Sequence, residues 1–340
     1  LTEGQRSEHV LIPSDNTVST FWITNPDNIY RDNVAAGSDQ IGFWIARPEH
    51  PTGEFEGTEV SKNTWPRRTK LREFTGNVAH SNFDGLMSDR GPRPDGTFGP
   101  GGYIALADPS DPNSPEVESV IENYTAYKNR NGGIWARGEM SVFKNLKMAD
   151  NAIGYTHASG NLGRSLFTSK VVDSLFVGES DNIGNPRSPT EIAYGRSLPD
   201  PEIADFPIRG YEFYDYRHEL DNITFVNYQD NDTRKTGAIS YLLFTSFGAS
   251  TNNVVQRSKF IDAKPVYFPP MEHRWSNDDY GNLAFKNSVL QDVDGSVTGV
   301  PKSFILLNDP EVAIGIDENC EIRSTWNAAV CTGDYGRLDV

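Results

Sequence analysis

The sequence predicts an all-β protein, a right-handed parallel β-helix (a solenoid) with long loop insertions. Short segments alternate apolar and polar residues and end at Asn, Asp or Gly, and similar segments recur at a spacing of about 25 to 30 residues. The 340 residues include 30 Gly and 21 Pro with 14 Tyr and 18 Phe. That composition favours many turns between short, aromatic-rich strands over long amphipathic helices.

The recurring unit is a short strand bounded by polar turn residues, seen at residues 28–34, 141–148, 221–228, 253–260 and 282–289. In a parallel β-helix such strands stack about 4.8 Å apart, and Asn side chains at the bends can form ladders along the axis. Immunoglobulin-like sandwiches are the alternative, but they need about 100 residues per domain and regular hairpin signals. We predict one domain, residues 1–340, with a C-terminal cap at about 310–340. The polar segments 48–72, 88–115 and 182–207 are predicted to project from the coil and wall a groove.

The net charge and the absence of long apolar runs limit the kinds of partner that the sequence predicts. The formal net charge of −16 disfavours nucleic acid as a partner, because a polyanion meets a repulsive field. No run of about 18 apolar residues occurs, so direct membrane insertion is not expected. The two cysteines, Cys320 and Cys331, are predicted to form a local disulfide, with two free buried thiols as the alternative. We expect a monomer or one part of a larger multidomain chain.

Several motifs give the chain a family resemblance. They are Ser-Thr-Phe-Trp-Ile-Thr-Asn-Pro-Asp-Asn at 19–28, the segments at 33–38, 42–44 and 77–82, and the stretches at 292–299 and 326–331. With them the chain resembles the parallel β-helix region of the cell-migration-inducing and transmembrane hyaluronidases and of fibrocystin-like proteins. The resemblance implies an extracellular β-helix concerned with hyaluronan binding and depolymerisation, with calcium required in some members. The small G8 domain that often precedes this β-helix is not evident here.

Cleavage of a glycosidic bond by hydrolysis needs an acid and a second carboxylate, whereas elimination at a uronic acid needs a base and a cation that neutralises the uronate. The candidate catalytic residues are His80, Asp84, His157, Asp215 and His218, and the candidate substrate-binding residues are Arg164, Tyr211, Arg217 and Trp275. Histidine and carboxylate can exchange protons, arginine can bind a uronate, and aromatic rings can stack on sugars. The alternative for each residue is structural: a turn ladder, core packing or a solvated loop.

Asp292 and Asp294 could give oxygen ligands to Ca²⁺, although the sequence around them departs from the EF-hand order, and a tight turn capped by Asp is the alternative. The chain has no Gly-x-Ser-x-Gly elbow, His-Glu-x-x-His helix or phosphate-binding loop, so serine hydrolase, zincin and P-loop chemistry are not supported.

The leading hypothesis is an extracellular or cell-surface protein that binds or depolymerises an acidic polysaccharide of the hyaluronan type. Given the net charge, this hypothesis needs a local cluster such as Arg67, Arg68, Lys70 and Arg72, or bound calcium. The first alternative is a noncatalytic structural or adhesion module of a larger surface protein. The second is a lyase or epimerase that acts on another uronate polymer.

Overall fold

The computed structural model describes residues 18–92, 98–160, 166–195, 208–232, 234–241, 250, 252–269, 288–308 and 316–333. Strands dominate these residues, and most of them pair in parallel within one seven-stranded sheet and one longer sheet. The predicted β-helix is therefore confirmed.

The strands, in chain order, are β1 (Ser19–Ile23), β2 (Ile29–Arg31), β3 (Val34–Ala36), β4 (Ile41–Ile45), β5 (Glu73–Thr75), β6 (Val78–His80), β7 (Asp84–Ser88), β8 (Gly91–Pro92), β9 (Phe98–Gly99), β10 (Ser119–Glu122), β11 (Thr125–Tyr127), β12 (Gly132–Arg137), β13 (Ser141–Lys144), β14 (Lys147–Ala149), β15 (Ile153–Ala158), β16 (Ser169–Val177), β17 (Ile208–Phe213), β18 (His218–Val226), β19 (Thr236–Tyr241), β20 (Val254–Gln256), β21 (Lys259–Ile261), β22 (Ser288–Asp292), β23 (Ser303–Leu307), β24 (Cys320–Arg323) and β25 (Ala328–Cys331). The seven-stranded sheet has the order β1-β4-β7-β12-β15-β17-β19. The longer sheet, called the long sheet below, contains the other parallel strands.

Most coils place a polar residue with left-handed backbone at one corner, and the coil at residues 73–80 places Gly76 there. Asn123, Asn145, Asp173 and Asn222 occupy equivalent corners with φ between 51° and 57°. Asn and Asp adopt this region more readily than most residues, which explains why they recur in the sequence. Their side chains also bond along the axis: Asn145 Nδ2 donates to Asn123 Oδ1 at 2.6 Å, and Asn222 Nδ2 donates to Asp173 Oδ1 at 2.7 Å.

A second Asn ladder runs inside the next corner. Asn82 Nδ2 donates to Asn129 Oδ1 at 3.1 Å, and Asn129 Nδ2 donates to Asn151 Oδ1 at 3.0 Å. All three residues are buried, and each Nδ2 also reaches a main-chain carbonyl of the preceding coil. Buried amides bonded in this way avoid the cost of unpaired polar groups. The ladder predicted at the bends is thus present.

A glycine is the second or third residue of most strands in the seven-stranded sheet. A Cβ atom at Gly133 would lie 2.6 Å from the Gly154 carbonyl oxygen, and one at Gly154 would lie 2.4 Å from the Gly210 carbonyl oxygen. Only glycine allows this close approach of successive coils. The residues that follow, such as Tyr155 and Tyr211, are fully buried, and their rings stack at 5.1 Å between centroids.

The coils are less regular in length than the sequence indicates. Equivalent corners are 22 residues apart between Asn123 and Asn145 but 49 apart between Asp173 and Asn222. The extra residues belong to the insertions, which contain the short helices α1 (Glu59–Lys62) and α2 (Pro189–Tyr194) and the antiparallel pair β8 and β9.

The C-terminal strands leave the parallel pattern. Strand β23 pairs antiparallel with β22 and β25, and β25 pairs antiparallel with β24. Cys320 and Cys331 face each other on β24 and β25 and form the predicted disulfide. The single-domain boundary and the cap stay predictions. Within the described ranges, no helix has the length and apolar character that crossing a bilayer requires.

Candidate functional site

The outer face of the seven-stranded sheet collects aromatic and charged side chains. The register aligns one outward row across the sheet: Trp22, Trp44, Met87, Trp135, Thr156, Glu212 and Ser240. Trp135 packs with Tyr214 and Ala158 in a cluster separate from the main core. Trp44, Thr156, Glu212 and Ser240 of this row are buried, whereas Trp22, Met87 and Trp135 keep part of their surface exposed outside the coil.

Asp89 organises the middle of this face. Its carboxylate accepts hydrogen bonds from Trp135 Nε1 at 2.9 Å, from Arg137 Nε at 3.1 Å and from the Gly101 main-chain N–H at 3.1 Å. The guanidinium of Arg137 also lies 5.8 Å from the ring centroid of Tyr214. Asp89 is buried, so it fixes the orientation of an indole and a guanidinium that are themselves only half-buried.

Asp215 supplies an acid beside that arrangement. Its side chain is 2% exposed, and it accepts hydrogen bonds from Ser159 N–H and Ser159 Oγ, both at 2.8 Å. Burial raises the pKa of Asp215 to about 6, although the Ser159 hydrogen bonds and the charge of Arg137 oppose the shift. A carboxyl group with this pKa can hold and release a proton near neutral pH, which suits a general acid. We call Trp135, Arg137, Tyr214 and Asp215, with Asp89 beneath them, the Asp215 site.

A buried ion pair lies next to this site on the same face. Arg209 contacts Glu212 through its Nε, and Thr156 Oγ1 donates to Glu212 Oε1 at 3.0 Å. Both charged residues are at most 3% exposed, and burial lowers the pKa of Arg209 to about 10. Loss of one partner alone would leave an uncompensated buried charge, so the outer face next to the site depends on both residues being present.

Three of the predicted site residues lie inside the coil. Tyr211 Oη bonds His218 Nδ1 at 2.7 Å, and His157 Nδ1 bonds Tyr155 Oη at 2.7 Å. His157 Nε2 lies 3.1 Å from the Gly138 carbonyl oxygen, so Nε2 carries the proton. Burial lowers the pKa of His157 to about 3 and lowers that of His218 well below its usual range. This packing favours the structural alternative for Tyr211, His157 and His218, and their proposed chemistry stays a prediction.

His80 and Asp84 belong to different sheets. The His80 ring stacks on Tyr127 with 4.7 Å between centroids, on the long sheet. Asp84 is buried in β7, where it accepts from the main-chain N–H of Gly132 at 2.9 Å and from Asn131 Nδ2 at 3.0 Å. These contacts favour a turn or ladder role for Asp84 and do not join it to His80 in one acid–base pair.

Arg217 is half-exposed and pairs with Glu219 at 2.7 Å, so its guanidinium is already engaged. Arg164 and Trp275 lie outside the described residues. Of the five predicted catalytic residues, Asp215 adjoins Tyr214 of the outer-face cluster, and burial raises its pKa to about 6. The sequence reasoning missed Trp135, Arg137 and Asp89. Trp135 follows Gly133 by two residues, as Trp44 follows Gly42, and this repeated spacing is a signal that could have indicated its position.

The turn at Asp292 does not fit a calcium site. Asp292 accepts hydrogen bonds from the main-chain N–H groups of Gly295, Val297 and Thr298 and from the Thr298 hydroxyl. Asp294 accepts from the N–H groups of Arg257 and Ser296. A cation would have to displace these donors, so the geometry fits the alternative of an Asp-capped turn. Among the described residues, no group of three or more His, Cys, Asp and Glu could hold a metal ion.

The fold and this site define a parallel β-helix protein that carries a buried acid and an aromatic–arginine pair on its outer face. Residues 1–87 match the family model described as CEMIP beta-helix. The chain is 32% identical over 350 residues to human Cell surface hyaluronidase CEMIP2 and 33% identical over 348 residues to mouse Cell migration-inducing and hyaluronan-binding protein, in each case across 95% of this chain. Mouse Fibrocystin-L is 29% identical across 42% of the chain and 3% of its own length.

A Dictyostelium discoideum protein is 34% identical over 338 residues, or 95% of this chain. The predicted resemblance to the β-helix region of these proteins is confirmed. The chain spans 30% of the Dictyostelium protein, 24% of the human hyaluronidase and 25% of the mouse protein.

Proposed function

We propose that this chain binds and depolymerises an acidic, uronate-containing polysaccharide of the hyaluronan type, outside the cell or at its surface. The observation that carries the proposal is Asp215, a buried carboxyl group with a pKa of about 6 beside Arg137 and the Trp135–Tyr214 pair. The names of the human and mouse relatives, a cell surface hyaluronidase and a hyaluronan-binding protein, support the substrate class. The disulfide supports an oxidising compartment.

Each part of the Asp215 site has a chemical role in this proposal. Arg137 binds the uronate carboxylate through charge-assisted hydrogen bonds, and Trp135 packs against a sugar ring. Protonated Asp215 gives its proton to the glycosidic oxygen as the carbon–oxygen bond breaks. Water then adds to the sugar carbon and returns one proton to the Asp215 carboxylate, which restores the acid. Asp89 acts as a positioning residue because it holds both Arg137 and Trp135.

The test is reducing-end release from hyaluronan by the wild-type chain and by Asp215→Asn. We expect the variant to lose at least about a hundredfold in rate while it retains binding, which is the size of effect typical of a lost general acid. Asp173→Asn is the matched control, since Asp173 sits at an exposed corner of the long sheet and should release product like the wild type.

Other outcomes separate the competing functions. Products that absorb in the ultraviolet would show that the chain cleaves the polysaccharide by elimination and not by hydrolysis. If the chain bound the polysaccharide without releasing products, it would be a noncatalytic carbohydrate-binding module. The absence of both binding and products would refute the proposal. A parallel assay with a chelator tests the calcium requirement that the family resemblance implies, which stays a prediction for this chain.

A further inference from the structure

A second cationic centre adjoins the Asp215 site. A cavity of about 190 Å³ is lined by Arg67, Arg68, Gly102, Ile104, Leu106 and Pro112, and we call it the Arg67 cavity. It lies among residues of the first two insertions, outside the coil. Its wall is cationic and apolar, a combination that suits an anionic group carried on a sugar ring.

Arg67 differs from its basic neighbours because no carboxylate among the described residues pairs with it. Arg68 pairs with Glu49 at 2.5 Å and lies 4.6 Å above the Trp65 ring, while Arg72 pairs with Asp27 at 2.7 Å. Within the described part of the chain, Arg67 makes one long hydrogen bond, 3.4 Å from Nη2 to the Arg47 carbonyl oxygen, and no ion pair. Arg67 is also half-buried, so water screens its charge less than that of an exposed arginine.

The guanidinium of Arg47 lies close to the first and has no carboxylate partner in the parts of the chain that the structure describes. Arg47 is 5% exposed, and its Nε and Nη1 have no hydrogen-bond partner in the regions that the structure describes. Burial, with a smaller contribution from the positive charge of Arg67, lowers the pKa of Arg47 to about 10 against an opposing contribution from Tyr103. Two like charges in a partly dry environment repel each other, and a bound anion would relieve that repulsion.

Glycines leave room around Arg67 and connect it to the Asp215 site. A Cβ atom at Gly91 or Gly101 would lie 2.9 Å or 3.2 Å from Arg67 Nη2. The Gly101 N–H donates to Asp89, the residue that holds Arg137 and Trp135. Gly102 packs on Gly160, which follows the Ser159 that binds Asp215. The cavity and the acid are therefore neighbours on one surface.

We infer that Arg67 binds the carboxylate of a second uronic acid residue, so that one acidic polysaccharide chain occupies both the Arg67 cavity and the Asp215 site. This inference rests on the proposed function and adds a subsite to it. Arginine suits the role because its fork of N–H donors matches a carboxylate. The subsite supplies a local attraction for a polyanion on a chain whose net charge is −16.

The experiment measures the affinity of Asp215→Asn protein, which does not consume its ligand, for hyaluronan oligosaccharides of increasing length. Arg67→Gln should bind long oligosaccharides about tenfold more weakly, the equivalent of one charge-assisted hydrogen bond, and should bind the shortest ones unchanged. Arg67→Lys should recover part of the loss. Arg72→Gln is the matched control, because Arg72 is exposed and already paired with Asp27.

A carboxyl-reduced polymer, which keeps the sugar rings and lacks the uronate charge, provides the decisive comparison. We expect the Arg67→Gln variant and its parent to bind this polymer equally well. Equal binding of long native oligosaccharides by the two proteins would overturn the subsite and leave the proposed function standing. If the parent bound neither polymer, the subsite would fall together with the proposed function.

Discussion

Replacing His157 with Gln should make the protein less sensitive to acid. The pKa of His157 is about 3 in the folded protein, because of burial, and about 6.5 in an unfolded chain. Between these values the unfolded state binds more protons than the folded state, so the free energy of unfolding falls as the pH falls. From pH 7.5 to pH 4.5 this single imidazole accounts for a loss of about 2.5 kcal/mol.

Two other titrating groups contribute to the pH dependence of the free energy of unfolding in the wild-type protein. His218 acts in the same direction, since burial also lowers its pKa. Asp215 acts in the opposite direction: its pKa of about 6 in the folded state exceeds the usual 3.9, so its contribution to stability is full below about pH 4 and is lost as the pH rises through 6. Between pH 7.5 and pH 4.5 Asp215 offsets about 2 kcal/mol of the unfolding free energy that the wild type loses through its histidines. Because Asp215 is present in both proteins, the difference between the variant and the wild type reports on His157.

The assay is urea denaturation followed by tryptophan fluorescence at pH 7.5 and pH 4.5. The His157→Gln variant should be less stable at pH 7.5, but acidification should cost it about 2.5 kcal/mol less than it costs the wild type. Phe143→Leu is the control, since Phe143 packs against the His157 ring and has no proton to exchange. The reasoning is refuted if His157→Gln and the wild type lose the same free energy on acidification.

Three further predictions concern the fold. Asn129→Ala should lower the free energy of unfolding by about 2 to 3 kcal/mol, because it leaves buried ladder partners unpaired. The control Asn145→Ala, at an exposed corner, should cost less than about 1 kcal/mol. Equal losses of the two variants in denaturant titrations would contradict a stabilising role for the buried Asn ladder. Gly210→Ala places a Cβ atom 2.7 Å from the next coil's carbonyl oxygen, so its melting temperature should drop by several degrees, and an unchanged value would show that the coils can separate at no cost. Replacing both Cys320 and Cys331 with Ser removes a disulfide that joins positions 11 residues apart and should cost about 2 to 3 kcal/mol in thermal unfolding relative to the oxidised wild type. The reduced wild type should match the double variant.

The histidines show why site residues were harder to predict than strands. The run from Tyr211 to His218 alternates aromatic and charged residues and indicates one strand with a sugar-binding face. The structure ends β17 at Phe213 and starts β18 at His218, so the chain turns a corner within that run. Tyr211, Phe213 and His218 consequently all face the interior, and Tyr214 faces outward. The alternation of side chains between the two faces of a sheet holds only within one continuous strand. The corner between Phe213 and His218 interrupts that alternation.

The local sequence pattern was enough to predict the elements of the coil: short strands, polar corners such as Asn123, and a disulfide close in the chain. These features depend on local backbone preference and on pairs close in the chain. Which distant side chains contact one another depends on how the coils stack. Insertions change the coil length from 22 to 49 residues, so Asp89, Arg137 and Asp215 become neighbours through stacking that no fixed spacing encodes. Burial then raised the pKa of Asp215, because desolvation depends on everything packed around a group and not on its position in the chain.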